Sequence, residues 1–566
     1  MSAAGPSQGA KGPSGGSDPR AAGERAGHTI TAGPSQGAKG HTHPPCILAI
    51  DNGTQSVRAL LFDLDGHLLD KAQVPIDTYR SPEPGWLEND PEAFWRSLCE
   101  ACQRLWARTA VPKDAVRGVV ITTQRGTTVA LDADGQPLRP AMIWLDQRRA
   151  TVIPPLRWWW DTTLRAIGMR DTVRFFQREA EANWIAQHQP ELWARTAHYL
   201  LLSGYLNHRF TGRYVDSVAS QVGYVPFDYR AGRWAAAWDW KWQALPIRRE
   251  MLPELVPAGT VIGAVGAAVA RETGIPEGLP VIAGAADKAC EVIGAGCLTP
   301  DIACLSYGTT ATVNTTTARY LEATRFVPPY PSAMPGHYST EIQITRGFWM
   351  VSWFKEQFGL FEQQLAEQRG VAPETLFDEL VNAVPPGSLG LMLQPFWNPG
   401  IKVPGPEAKG AIIGFGDVHN RAHLYRAILE GLAYALREAC ERIERRSGQP
   451  VTRLRVSGGG SQSDAAMQIT ANIFNRPCER PHLFETSGLG AAMLAAVSLK
   501  LHPDFATAVA RMTRVGAVFE PQPDHARTYE RLYRQVYCRM YRRLRPLYRD
   551  IQAITGYPPR HGENDV

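Results

Sequence analysis

Long hydrophobic runs are missing from this 566-residue chain, and with them any sign of a membrane span. No apolar stretch approaches the roughly 18 residues that a helix needs to cross a bilayer. Near the N-terminus there is no apolar core, so no secretory signal is expected. Charge of one sign is also lacking in excess. The formal net charge is +5, and much of it gathers between Arg527 and Arg549, which gives no ground for a nucleic-acid partner. Cysteine is sparse: nine residues, odd in number and scattered. Cys99 and Cys102 form a C-x-x-C with no second pair, so reduced, buried thiols in a cytoplasmic protein are a simpler account than a metal site. Also absent are a Gly-x4-Gly-Lys-Ser/Thr loop and a Gly-x-Gly-x-x-Gly after a strand. A nucleotide site must therefore belong to another architecture.

What is present is a soluble, globular composition, 44% hydrophobic and 20% charged, with room for two large domains. Residues 1–44 stand apart. They are Gly, Ser, Ala and Pro, and Ala-Gly-Pro-Ser-Gln-Gly-Ala-Lys-Gly occurs at 4–12 and again at 32–40. Such a stretch cannot bury enough surface to offset its ordering entropy and is expected to be a disordered tail.

Beyond it, two acidic Gly-Thr turns lie one in each half of the chain. The first, Asp51-Asn-Gly53-Thr54-Gln55-Ser56, joins strands predicted at Cys46–Asp51 and Arg58–Leu64. The second, Gly308-Thr309-Thr310, lies within strands predicted around Ile302–Thr316, shortly after Asp287 at the end of a strand Val281–Gly284. A tight turn of this kind points backbone N–H groups and hydroxyls at one spot and makes an anion site. Further strands are expected at Leu68–Val74, at Val116–Thr122 and at Leu454–Val456, the last followed by Gly458-Gly459-Gly460 and a helix from Ser463-Asp464. A helix is expected to start at Pro91 with Asp90 as its cap, others at Gly347–Gln357 and His423–Arg446, and a last one carries Tyr529, Tyr533, Tyr537 and Tyr541 as a packing stripe. The two lobes of this α/β chain resemble two ribonuclease-H-like domains of the actin type, which implies a nucleotide in the cleft between them.

With these pieces in place the chain resembles the FGGY family of carbohydrate kinases over about residues 45–550. The residues that carry the likeness are Asp51-x-Gly-Thr54, Gly284-x-x-Asp287 with Gly308-Thr-Thr310, Gly410-Ala-Ile-Ile-Gly-Phe415 with His423–Gly431, and Val456-Ser-Gly-Gly-Gly-Ser-Gln-Ser-Asp464. The resemblance implies transfer of the γ-phosphoryl of ATP to a hydroxyl of a polyol or ketose, with Mg²⁺. It divides the chain into an N-terminal kinase domain at 45–297, a C-terminal one at 298–550, and a short tail at 551–566. It makes Asp287 the general base and Asp51 the carboxylate that orients magnesium through waters. ATP contacts are expected from Gly53, Thr54, Gln55, Ser56 and Arg58, from Gly308, Thr309 and Thr310, and from Gly458, Gly459, Gly460, Ser463 and Asp464. The acceptor falls to Gln124, Arg125, Trp144, Asp287 and Lys288.

Several roles stay open at this level. Arg58 is either a phosphate ligand or a partner of Asp63 or Asp65, and Trp144 either faces the acceptor or fills the core. Asp146 either serves the acceptor or pairs with Arg148, while Ser463 and Asp464 cap a helix or meet adenosine. Gly126 stands where glycerol kinase has a glutamate, and Lys288 where glutamine or asparagine is usual. Lys288 could lower the pKa of Asp287 or receive an anionic group of the substrate. The loop Gln394–Lys402 also departs from the family pattern. A cytoplasmic enzyme with a small-molecule partner follows, free of nucleic acid and membrane, with a homodimer as the assembly frequent among relatives. An actin-like ATPase and a catalytically weak regulatory protein are the competing readings.

Overall fold

The apolar, β-branched runs that flank each Gly-Thr turn are too short for helices and pair as strands. The structure is a computed structural model that describes residues 43–557 apart from 372, 399 and 401–403. The expected tail at 1–44 therefore lies almost wholly outside the described residues, as do part of the Gln394–Lys402 loop and residues 558–566. Strands β1 (Cys46–Asn52), β2 (Ser56–Asp63) and β3 (Leu68–Pro75) form an antiparallel meander. β4 (Val116–Thr123) lies parallel to β1, β6 (Pro280–Ile282) parallel to β4, and β5 (Val261–Ala264) antiparallel to β6. The sheet order is β5-β6-β4-β1-β2-β3. Every residue of β1 is buried, as befits a strand covered on both faces.

The second half repeats this plan. β7 (Ile302–Tyr307), β8 (Ala311–Thr317) and β10 (Tyr338–Ile344) are antiparallel neighbours, with the short β9 (Tyr330–Pro331) at the edge. β11 (Arg453–Ser457) runs parallel to β7, β12 (Cys478–Pro481) parallel to β11, and β13 (Val515–Phe519) antiparallel to β12. Leaving β9 aside, both sheets have the same succession of partners and directions. This is the duplicated architecture the sequence predicts.

Helices complete the layers. α1 (Pro91–Trp106) starts where expected, because Asp90 accepts the Glu92 N–H and Pro91 occupies the first turn. α2 (Arg170–Glu179) belongs to a Trp-rich region between β4 and β5 with its own core. α4 (Trp349–Phe358) follows β10, and α5 (Arg421–Ser447), capped by Asn420, runs through the second core. α6 (Asp464–Phe474) starts at the Ser463 cap. α3 (Asp287–Gly294) and α7 (Thr486–Ser498) cross with their backbones touching. A Cβ on Gly294 would lie 1.9 Å from the Thr486 carbonyl oxygen, and one on Gly490 would lie 1.9 Å from that of Cys290. Side chains of α7, Leu489 and Met493 among them, also share a core with Ile47 and Leu60 of the first sheet. A segment from late in the chain thus helps to cover the first sheet.

The tyrosine stripe packs as expected. Tyr529, Tyr533 and Tyr537 are buried around Tyr434 of α5, with a π-helical turn at Tyr533–Tyr537 before α8 (Cys538–Thr555). α8 continues past the expected boundary at 550. Residues 143–148 form no strand, and Asp146 and Arg148 turn inward to a buried ion-pair cluster. Among the described residues no helix is long and apolar enough to cross a membrane.

Candidate active site

Ligands of open α/β sheets collect where parallel strands end, and here the carboxyl ends of β1, β4, β7 and β11 carry the motifs found in the sequence. Two cavities of about 460 and 480 Å³ meet there. The first is lined by Thr54, Gln124, Arg125, Gly126, Trp144, Asp287 and Lys288. The second is lined by Gln55, Gly459, Gly460 and Ser463, together with Phe348, Lys355, Asp378 and Tyr425. Gly308 and Thr309 line both. The turn between β7 and β8 is therefore the shared wall of two adjoining chambers.

Asp287 does not end a strand, as expected, but opens α3, after a single parallel bridge from Ala286 to Thr123. Its Oδ1 accepts the Lys288 N–H at 2.7 Å, leaving the other oxygen uncommitted to that bond. Burial pushes its carboxyl above the usual range, while Lys288 and Arg125 pull it back. Lys288 donates from Nζ to Glu291 Oε2 at 2.7 Å and to Ser306, and Ser457 in turn donates to Glu291 Oε1 at 2.6 Å. Burial works against the ammonium, but Glu291 and Asp287 outweigh it and keep Lys288 firmly charged. Lys288 Nζ is thus engaged by Glu291 and Ser306, and its charge lowers the Asp287 pKa.

Asp51 is 4% exposed and accepts from Arg58 Nη1 at 2.9 Å. Burial pushes its carboxyl up to about 6; Arg58 opposes this, and the negative charges of Asp287 and Glu485 add to it. Arg58 pairs with Asp51 and lies 3.6 Å from Glu485, not with Asp63 or Asp65. Those two hold His67 and Arg511 instead. The register explains the difference: Arg58 sits directly opposite Asp51 across the β1–β2 pair. The buried Asp51 carboxylate, close enough to Asp287 to feel its charge, offers a hard oxygen donor of the kind Mg²⁺ takes together with phosphates and water.

The Thr54 hydroxyl is fully engaged in the first cavity. It donates to Gln124 Oε1 at 3.1 Å and accepts from Trp144 Nε1 at 2.9 Å, while Tyr79 donates to the Thr54 carbonyl. The one hydroxyl proton of Thr54 is therefore spent on Gln124 within the first cavity. Trp144 lines that chamber and is only partly buried. The Ser56 hydroxyl accepts from Gln73 Nε2 at 3.0 Å and lines neither cavity. Thr310 lines the first cavity, its hydroxyl donating to the Thr345 carbonyl at 3.0 Å. Gly53 closes the first turn through its N–H to the Ser56 carbonyl.

At the end of β11, Gly458 has φ +84°, and a Cβ there would come 2.9 Å from the Tyr307 carbonyl group. Ser463 caps α6, accepting the Ala466 N–H, and donates to Asp378 Oδ1 at 2.5 Å. Asp464 is exposed, pairs with Arg480 at 2.6 Å and stays outside both cavities. Asp146 binds Arg148 at 2.6 Å and accepts the Leu87 N–H at 2.7 Å, so it is the ion-pair partner among its two readings.

Sequence reasoning missed Glu341, which pairs with Arg125 through two bonds of 2.9 and 3.2 Å from the opposite sheet. It also missed Tyr330 beneath the Arg125 guanidinium, and Asp378 and Phe348 in the second chamber. No motif spacing could mark them: Glu341 and Tyr330 lie on β10 and β9, Phe348 precedes α4 and Asp378 lies on a helix at Pro373–Asn382, all in the other half.

Two family models match the chain, the N-terminal domain of the FGGY family of carbohydrate kinases at residues 46–294 and its C-terminal domain at 303–499. The chain belongs to the FGGY family of carbohydrate kinases. The Escherichia coli protein named uncharacterized sugar kinase YgcE is 30% identical over 91% of this chain and 96% of its own length. A glycerol kinase of Acidovorax is 30% identical over 80% and 90% of the two chains. The solved xylulose kinase of Rhodospirillum rubrum superposes with a TM-score of 0.74 at 27% identity, covering 89% of this chain and all of that one. The protein is a carbohydrate kinase with the two-domain, actin-like fold, taking ATP as phosphoryl donor and a sugar or polyol hydroxyl as acceptor.

Proposed function

We propose that this FGGY kinase acts in the cytoplasm on a terminal hydroxyl of a polyol or ketose, with Mg²⁺. The nucleoside occupies the second chamber along Gly458–Gly460, and the phosphates reach Gly308–Thr309 with Gln55 and Arg58 nearby. The acceptor occupies the first chamber, held by Gln124 and Arg125 and covered by Trp144. Asp287 takes the proton of the attacking hydroxyl, a contribution typically worth about 10²–10⁴-fold. Asp51 orients magnesium through its waters, and the ion supplies charge neutralisation on the transferring phosphoryl group. Lys288 and Arg125 oppose the rise that burial imposes on the Asp287 carboxyl. A homodimer is the proposed assembly, and a monomeric mass in sedimentation would exclude it.

The single observation that carries this reading is the common Gly308–Thr309 wall, with Asp287 on the acceptor side of it. Phosphoryl transfer depends on positioning donor and acceptor in line across such a boundary. The test is ADP release by the purified protein against a panel of polyols, ketopentoses and ketohexoses, with mass analysis of the products. Turnover that depends on one acceptor and yields its monophosphate supports the reading. ATP hydrolysis indifferent to every acceptor refutes it.

A further inference from the structure

From the chemistry of the first chamber we infer that the acceptor is an uncharged sugar or polyol with an apolar end, such as a deoxy or alkyl-bearing carbon, and not a sugar acid. This rests on the reading of that chamber as the acceptor site. Among the described residues two cations line it, Arg125 and Lys288, and both are already matched. Arg125 is held bidentately by Glu341, whose side chain is 3% exposed, and Lys288 is held by Glu291 and Ser306. A substrate carboxylate would have to compete with a protein carboxylate for either one, and burying it without a free partner is costly.

Much of the remaining wall is aromatic, with Thr172 and Gln343 among its polar members. Phe175 and Phe176 of α2, Tyr224, Tyr229 and Tyr330 line it. Phe176 packs edge-on to Tyr224 at 5.5 Å, and Tyr229 edge-on to Tyr330 at 6.0 Å, so the wall is braced by its own contacts. Hydroxyls laid against the ring faces would lack partners there, while a methyl or methylene group would fit them. The polar end has a ready partner. Gln124 is 3% exposed, and its Nε2 has no hydrogen-bond partner although its Oε1 is occupied by Thr54. That amide is a free donor for a substrate oxygen.

The test uses matched triplets: a ketose, its terminal deoxy form and the corresponding sugar acid. Binding to the full chain is measured by calorimetry with a non-hydrolysable ATP analogue, and turnover by ADP release. The deoxy form should bind at least about tenfold more tightly than the sugar acid, since a single methylene group in an apolar pocket is worth about that much. Glu341→Gln, which frees Arg125, should raise the acid-to-deoxy affinity ratio about tenfold, a gain that a merely structural role for Glu341 would not produce. Phe176→Ser should lower the preference for the deoxy form, and it serves if Glu341→Gln does not fold. A sugar acid that binds wild type as tightly as the deoxy form overturns the inference, as does a ratio unmoved in the folded variants. If the affinity order holds but no ligand is phosphorylated, the chamber's preference for an uncharged, apolar-ended ligand stands, while its assignment as the acceptor site falls.

Discussion

Asp287→Asn isolates the proton-transfer step. Asparagine is nearly isosteric, and its carbonyl oxygen can keep the 2.7 Å bond from the Lys288 N–H that fixes the side chain at the start of α3. The group lost is the second carboxylate oxygen, replaced by an amide nitrogen that cannot accept a proton. If Asp287 is the base, kcat should fall by about 10²–10⁴-fold. At about 1.36 kcal/mol per factor of ten, that is roughly 3–5 kcal/mol of lost transition-state stabilisation. Affinity for ATP should change by less than about threefold. The variant removes a negative charge beside an anionic ligand, so the electrostatic change does not oppose nucleotide binding. Steady-state ADP release gives kcat, and calorimetric titration with nucleotide gives the affinity. A kcat within about tenfold of wild type would remove Asp287 from proton transfer, and a parallel collapse of ATP affinity would show that the substitution damaged the cleft instead.

Lys288→Gln should move the acidic limb of the kcat/KM profile to higher pH. Burial already raises the Asp287 pKa and Lys288 lowers it, so losing the cation raises it further, and the base is ionised only at higher pH. A limb that stays fixed or moves down contradicts the tuning role. Asp146→Ala should cost roughly 1–3 kcal/mol in a denaturant melt, because it removes charge-assisted hydrogen bonds to the buried Arg148 and leaves it Glu88 alone; a loss below about 0.5 kcal/mol would refute that. Gly458→Ala should cost about 1–3 kcal/mol, from the positive φ and the 2.9 Å approach to Tyr307. Its nucleotide KM should rise more than its acceptor KM, and the reverse order would dissociate Gly458 from the nucleoside chamber.

Much of the fold could be read along the chain because its signals are local. The Asp90-Pro91 helix start, the strands flanking both Gly-Thr turns and the tyrosine stripe depend on neighbours a few residues apart, where backbone preference and periodicity act. The same reasoning placed Asp287 at a strand end and left Arg58 with Asp63 or Asp65 as its alternative partners. It failed there because the register of β1 against β2, and the approach of α3 to the cleft, are set by packing beyond the motif.

The sequence by itself determined which chemistry is available: the two anion-binding turns, their flanking carboxylates and the family that carries them in this order. Which side chains are spent on one another was decided only in three dimensions. Arg125 and Glu341 are 216 residues apart, and no spacing rule links them. They meet because two similar sheets end at one cleft, and a charge in a low-dielectric cleft is held by the opposite charge that the fold brings within reach.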